Sequence, residues 1–205
     1  MDLIMGKSKR RLSAQEVHRL MLDDLARSGL AKDWARLGCH PVEMNGFATT
    51  PRYRFPYFGL DGKPTDFYRD RFLGEKLPTD ARGKPQRYTQ PAGKSPRLYL
   101  APFIDWRSVA GDTSVSLLIT EGEKKAARAC KDRLPCVGLG GVYNWRHRRR
   151  PIADLDLFHW RGRRVVIVFD SDATQNVNVQ RAEFLLAAEL QRRGASVRIK
   201  RLPEN

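Results

Sequence analysis

Leu117-Leu118-Ile119-Thr120-Glu121-Gly122-Glu123 and Val165-Val166-Ile167-Val168-Phe169-Asp170-Ser171-Asp172 are short apolar runs that each stop at carboxylates. Runs of this length, rich in β-branched residues and lacking polar alternation, read as strands buried on both faces. Helical and extended patterns alternate around them. A helix is expected from about Glu123 to Arg133, then a strand over Cys136–Leu139 closed by Gly140-Gly141. A second helix carries Val179, Ala182, Leu185, Leu186, Ala188 and Leu190 on its apolar face and ends at Gly194, and Val197–Leu202 makes a last strand. Apolar strands separated by helices imply an α/β fold, a mostly parallel sheet with helices on both faces, over residues 113–205.

In such a sheet ligands bind outside the carboxyl ends of the strands. Glu121, Asp170 and Asp172 stand there, on one rim if their strands are neighbours. Three converging carboxylates repel one another unless they are protonated or hold a cation. Mg²⁺ (or Mn²⁺) suits them, because a hard cation prefers oxygen and keeps sites for water and substrate phosphates. Gly122 lets a backbone or a phosphate approach closely. The plainer reading of any single acid here is a helix cap, a role open to Asp172 and Asn176.

The formal charge of +15 points to an anionic partner, nucleic acid first. An Arg-rich composition without such a partner is the alternative. No apolar run reaches the ~18–20 residues that span a bilayer, and no secretory segment opens the chain, so a cytoplasmic protein with no membrane partner is expected. Cys39, Cys130 and Cys136 form no C-x-x-C pair; no zinc is expected, and buried thiols are the reading.

Residues 1–43 read as a basic tail, with Lys7, Lys9 and Arg10, followed by helices. Ser13 and Glu16 have capping-box spacing, and Val17, Leu20, Met21 and Leu25 recur at helical steps until Gly29. A second short helix over about Lys32–Leu37 would make either a helix-turn-helix or a small packing unit. Residues 44–112 interleave Pro, Gly, aromatic and basic residues. Short strands are expected at Tyr53–Phe58, Thr65–Phe72, Arg87–Thr89 and Arg97–Leu100, with a two-residue turn at Asp61-Gly62 and a polar loop from Glu75 to Pro85. Alternation assigns about half of Phe55, Tyr57, Phe67 and Phe72 to a core.

The pairing of an apolar strand ending in Glu-Gly with one ending in Asp-x-Asp resembles the TOPRIM domain shared by bacterial-type primases, topoisomerases and some nucleases. The resemblance implies a reactive-centre role for Glu121 and divalent-metal binding by Asp170 and Asp172. The middle segment looks like the subdomain that precedes TOPRIM in bacterial-type primases, through Arg54-Phe55-Pro56-Tyr57-Phe58, Phe67-Tyr68-Arg69-Asp70-Arg71-Phe72, Gln86-Arg87-Tyr88-Thr89-Gln90-Pro91 and Leu98-Tyr99. By that likeness Arg54, Arg69, Arg71, Arg87 and Lys94 surround template or incoming nucleotide. Arg forks grip phosphates and aromatic faces stack bases. Thr120–Ala126, Gly138–Trp145 and Phe169–Asp172 together are similar to TOPRIM-like domains of phage and plasmid replication proteins, which are often joined to a helicase. Departures are Lys125, where primases usually carry aspartate, and the lack of a zinc-binding module.

The expectation is therefore a DNA primase-like nucleotidyltransferase using single-stranded DNA template and nucleoside triphosphates, with a replicative helicase as partner in cis or in trans. Arg146, Arg148 and Arg149, in the run Arg146–Arg150, and Lys124 at a helix start are expected on phosphates, or simply solvated. Two alternatives stand beside the primase: a TOPRIM metal-dependent nuclease, and a non-catalytic single-stranded nucleic-acid-binding module.

Overall fold

Ser13 accepts from the Glu16 amide and the Glu16 carboxylate accepts from the Ser13 amide, closing the expected capping box at the start of helix α1 (Ala14–Ala26). The computed structural model describes residues 12–43, 50–80, 83–169 and 176–201. The basic tail, Asp170 and Asp172 lie outside these residues. Val17, Met21 and Leu25 of α1 are buried, and the chain turns at Gly29, whose φ of 67° is left-handed. No regular α-helix forms over Lys32–Leu37. Ala31–Asp33 is a single 3₁₀ turn that runs into further turns, and Leu30 and Leu37 drop into the core. The segment is thus a packing unit, too short to offer a recognition helix.

Strands β1 (His40–Pro41), β2 (Arg52–Phe58), β3 (Pro64–Phe72) and β4 (Tyr88–Thr89) form an antiparallel sheet in that order. Asp61-Gly62 sits at the tip of a longer loop than expected. Phe58 pairs with Pro64, and the Gly59 amide donates to the Lys63 carbonyl. Phe55, Tyr57, Phe67 and Phe72 are all buried, not half of them. The reason is a second layer behind the sheet: Tyr57 meets Tyr99 edge to face at 5.1 Å and Phe55 meets it at 6.2 Å.

Tyr99 belongs to β5 (Leu98–Leu100), the antiparallel edge of a five-stranded sheet. The other members are β6 (Leu117–Glu121), β7 (Cys136–Leu139), β10 (Arg164–Phe169) and β11 (Ser196–Arg201), ordered β11-β10-β6-β7-β5. β6, β7, β10 and β11 are mutually parallel. Between them run α3 (Glu123–Lys131) and α4 (Val177–Arg192), while α2 (Trp106–Gly111) precedes β6. The fold is a mixed α/β one. The β6-α3-β7 and β10-α4-β11 crossovers step outward in opposite directions from the central β6/β10 pair. With right-handed crossovers, α3 and α4 then cover opposite faces. On α4 the buried face uses Ala187 where the sequence pattern predicts Ala188; Ala188 is exposed.

Residues 98–111, placed by sequence with the basic subdomain, thus build the edge strand and first helix of the larger sheet. Arg163 completes this corner. Its guanidinium, with no exposure, donates to the carbonyls of His159, Val115, Val109 and Ala110. Burial pulls its pKa below the usual arginine value. No helix among the described residues is long and apolar enough to cross a membrane.

Candidate functional site

Two described chain turns, after β6 and after β7, stand at the rim formed by the carboxyl ends of the parallel strands. β6 ends at Glu121, flanked by β10, where Val168 pairs with Thr120, and by β7, where Leu139 pairs with Glu121. Gly122 takes a φ of 91°, open to glycine at little cost, and its amide donates to the Leu139 carbonyl at 2.7 Å. That turn separates two carboxylates with different surroundings: Glu121 is half-buried at the rim, and Glu123, the first residue of α3, is fully buried. The turn after β7 crosses toward α4, where Tyr143 Oη donates to Asn178, 3.0 Å from both its carbonyl oxygen and its Oδ1. The ends of β6 and β7 and the first turn of α4 therefore meet at one rim. It is the point where the crossovers diverge, the position at which open α/β sheets bind ligands.

Of the expected metal ligands, Glu121 is placed at this rim, and Asp170 and Asp172 follow β10 in sequence, outside the described residues. Among the described residues no group of three His, Cys, Asp or Glu side chains forms a metal site. Glu121 offers hard carboxylate oxygens, the donor type that suits Mg²⁺. The cysteines are all buried; burial pushes Cys130 up to about 12 and Cys39 and Cys136 higher still, so none is a reactive thiolate.

The basic residues named from the resemblance do not converge. Arg69 gives Nη1 to Glu123 Oε1 at 2.7 Å, an oxygen that also accepts from Tyr57 Oη at 2.7 Å. Arg71 binds Asp24 through both fork nitrogens, 2.7 and 2.9 Å, with Tyr53 Oη and Lys124 Nζ on the same carboxylate at 2.7 and 3.0 Å. Lys124 is thus held against α1, and burial lowers its pKa, with Arg71 adding to that against the pull of Asp24. Arg54 pairs with Asp70 at 2.8 Å and lies over the Tyr68 ring at 3.4 Å. Lys94 makes an exposed pair with Asp66. Arg87 is exposed and lines a separate cleft of about 250 Å³ beside α1. Arg69 and Lys94 share a cleft, about 380 Å³, with Tyr88 and Gln90 on its walls. Arg69 and Arg71 flank the Tyr88 ring, 4.4 and 5.0 Å from its centre. Arg69 also lies against Gly140, where a Cβ would stand 2.6 Å from Nη1 and push the guanidinium aside.

Asp24 and Glu123 are the residues that sequence reading passed over. Each carboxylate sits on the apolar stripe of its helix: Asp24 beside Val17, Met21 and Leu25, and Glu123 in step with Ala126, Ala127 and Cys130. A carboxylate on an apolar stripe demands a buried cation, and arginines on alternate positions of β3 supply it. Burial alone would raise the Asp24 carboxyl, but hydrogen bonds from Arg71 and Tyr53, with the charges of Arg71 and Lys124, hold it at about 2. Glu123 Oε2, Arg69 Nε and Tyr99 Oη are buried without a hydrogen-bond partner among the described residues.

The turn after β7 continues into a ribbon, β8 (Arg146–His147) and β9 (Arg150–Pro151), pinned by the Ile152 amide on the Trp145 carbonyl. Arg146, Arg148 and Arg149 thus follow the carboxyl end of β7, the strand whose Leu139 pairs with Glu121.

Fold and site together describe a mixed α/β domain with an acidic strand end at its switch point, joined by ion pairs to a basic antiparallel sheet. Residues 105–205, just under half of the chain, match a family described as Domain of unknown function (DUF3854). That span takes in α2 through β11 and with them the whole described rim. No curated protein matches the chain.

Proposed function

We propose that the chain is a TOPRIM-type, primase-like nucleotidyltransferase of a phage, plasmid or other mobile-element replication protein, extending short primers on single-stranded DNA. The observation that carries this reading is Glu121 at the carboxyl end of β6, beside β10, at the switch point of the parallel sheet. In sequence, Asp170-Ser171-Asp172 follows directly on Phe169, the last residue of β10. Asp170 and Asp172 would hold Mg²⁺, with Glu121 as a further ligand or as general base. Bound Mg²⁺ supplies charge neutralisation for a triphosphate and makes a 3′-hydroxyl easier to deprotonate. Glu121, half in solvent, can take that proton and pass it to water. The Arg69/Lys94 cleft offers two cations to the phosphates of an incoming nucleotide.

The non-catalytic binding module keeps one observation in its favour. Arg54, Arg69, Arg71 and Lys124 are already neutralised by carboxylates of the same chain, which leaves less charge for a template at the reactive rim. Primer synthesis on mixed-sequence single-stranded templates, with labelled nucleotides and Mg²⁺ or Mn²⁺, decides between them. Short products from wild type that vanish in Asp170→Ala/Asp172→Ala support the transferase. Binding of single strands that is equal in both proteins, with no product from either, sinks it in favour of the module. Metal-dependent loss of the template itself would point to the nuclease.

A further inference from the structure

In Arg146-His147-Arg148-Arg149-Arg150-Pro151, Arg146 pairs with Pro151 and His147 with Arg150, so the loop joining the two strands is Arg148-Arg149 alone. Both residues have left-handed φ, 49° and 66°. Two-residue turns with positive φ at both positions are normally made by Asn-Gly or Gly-Gly, because a Cβ is disfavoured there. Two adjacent arginines hold this conformation against their own preference, and strain of this kind gathers where a side chain is needed in a set place.

Among the described residues the charges at this tip have no acidic partner: no carboxylate pairs with Arg148, Arg149 or Arg150, and residues 147–150 are all exposed. The arginines of β2 and β3 are the contrast, each closed by Asp70, Glu123 or Asp24. The base of the ribbon is firm. Trp145 and Ile152 are buried on either side, and the Arg146 guanidinium covers the Tyr143 and Trp145 rings at 4.8 and 5.3 Å. Tyr143 in turn is tied to the first turn of α4.

The geometry points to this ribbon as a clamp for the phosphate backbone of double-stranded nucleic acid, the primer–template duplex leaving the rim beside Glu121. Single-strand grooves present exposed aromatic faces to unstacked bases. Here both nearby aromatics are covered, and the tip offers charge only. A grip made of charge alone favours the polymer with more phosphates per unit length, which is the duplex. A two-stranded ribbon also has a width that a duplex groove admits. No large apolar side chain stands at the tip, so nothing there suits insertion in a bilayer. That the duplex is a primer on its template rests on the transferase reading; the duplex grip does not, and it is measured without nucleotide or metal.

Fluorescence anisotropy of the full chain with a labelled DNA duplex, and with one of its strands alone, tests this from about 50 to about 200 mM salt. In Arg148→Ala/Arg149→Ala/Arg150→Ala the duplex affinity is expected to fall about tenfold or more at the lower salt. The slope of log affinity against log salt should drop by roughly 2 to 3, about 0.9 for each phosphate that is no longer neutralised. Single-strand affinity should fall by less than about threefold, since the remaining cations still serve it. Arg148→Asn/Arg149→Gly separates binding from folding. It installs the preferred turn, so its thermal midpoint should match or exceed wild type while its duplex affinity falls with the alanine variant. Unchanged duplex affinity, or equal losses on duplex and single strand, overturns the clamp whether or not the chain makes primers. Failure of primer synthesis with the duplex loss intact overturns the transferase and leaves the clamp.

Discussion

Glu121 and Glu123 stand two residues apart with only Gly122 between them, and they should respond to the same substitution in opposite ways. Glu123 is wholly buried and holds Arg69 and Tyr57, so Glu123→Gln leaves a buried guanidinium without its counter-charge. The expected cost is about 3 kcal/mol, in line with broken buried pairs. Glu121→Gln, at a half-buried rim position, should change stability by less than about 1 kcal/mol and, on the proposed transferase reading, abolish primer synthesis. Urea unfolding of the two variants beside their polymerising activity checks this, and a large stability loss in Glu121→Gln would make it a structural residue instead. Asp24 supplies a pH test of the same kind. Its folded carboxyl sits at about 2 against an ordinary 3.8, so the unfolded chain takes up the proton first as pH falls. The stabilisation from this group is whole above about pH 4 and is lost as pH falls toward 2, a change of about 2 kcal/mol. Asp24→Asn should cost about 3 kcal/mol near neutrality, and the gap to wild type should narrow over that window. A gap that stays constant from pH 6 to pH 2 would mean that Asp24 does not hold Arg71 as a charge.

Most elements could be read from sequence, because their signals are local. The Ser13/Glu16 box, the apolar run of β10 and the Gly122 turn each state a backbone preference within a few residues, and the structure follows them. What escaped was pairing across distance. Leu98–Leu100 reads as a strand in either layer, and only its partner Leu139–Val137 decides that it closes the larger sheet. The short helix expected at Lys32–Leu37 fails because burying Leu30 and Leu37 is worth more than one helical turn with no cap. The hydrogen bond from the turn after β7 to α4 is likewise invisible in sequence, since a single phenol makes it. Tyr143→Phe removes its hydrogen bond to Asn178. The expected loss is about 1 kcal/mol, with faster amide exchange confined to the turn after β7 and the first turn of α4. Exchange that quickens throughout α4, or not at all, would show that the phenol is no such link.

At the scale of the whole chain the site was legible in part, and the division follows charge. Strand-end carboxylates announce themselves because strands are apolar. A surface arginine and an inter-layer arginine look alike in sequence, so Arg69 and Arg71 read as template contacts although their first partners are Glu123 and Asp24. Those pairs make the two sheets interdependent. Asp24 from α1, Arg71 from β3 and Lys124 from α3 share one carboxylate, and Tyr57, Phe55 and Tyr99 share one aromatic core. Separating the layers would open a continuous buried apolar surface and expose Glu123 and Arg69 to different fates, so neither sheet has a reason to survive the loss of the other. The chain should therefore unfold as one unit. In native-state hydrogen exchange under urea, the slowest amides of β3 and of β10 are expected to share one opening free energy and one urea dependence. Two distinct free energies, with β3 opening while β10 stays protected, would mean that the basic sheet is a separable module. The ion pairs would then be a docking contact between modules, not part of a common core.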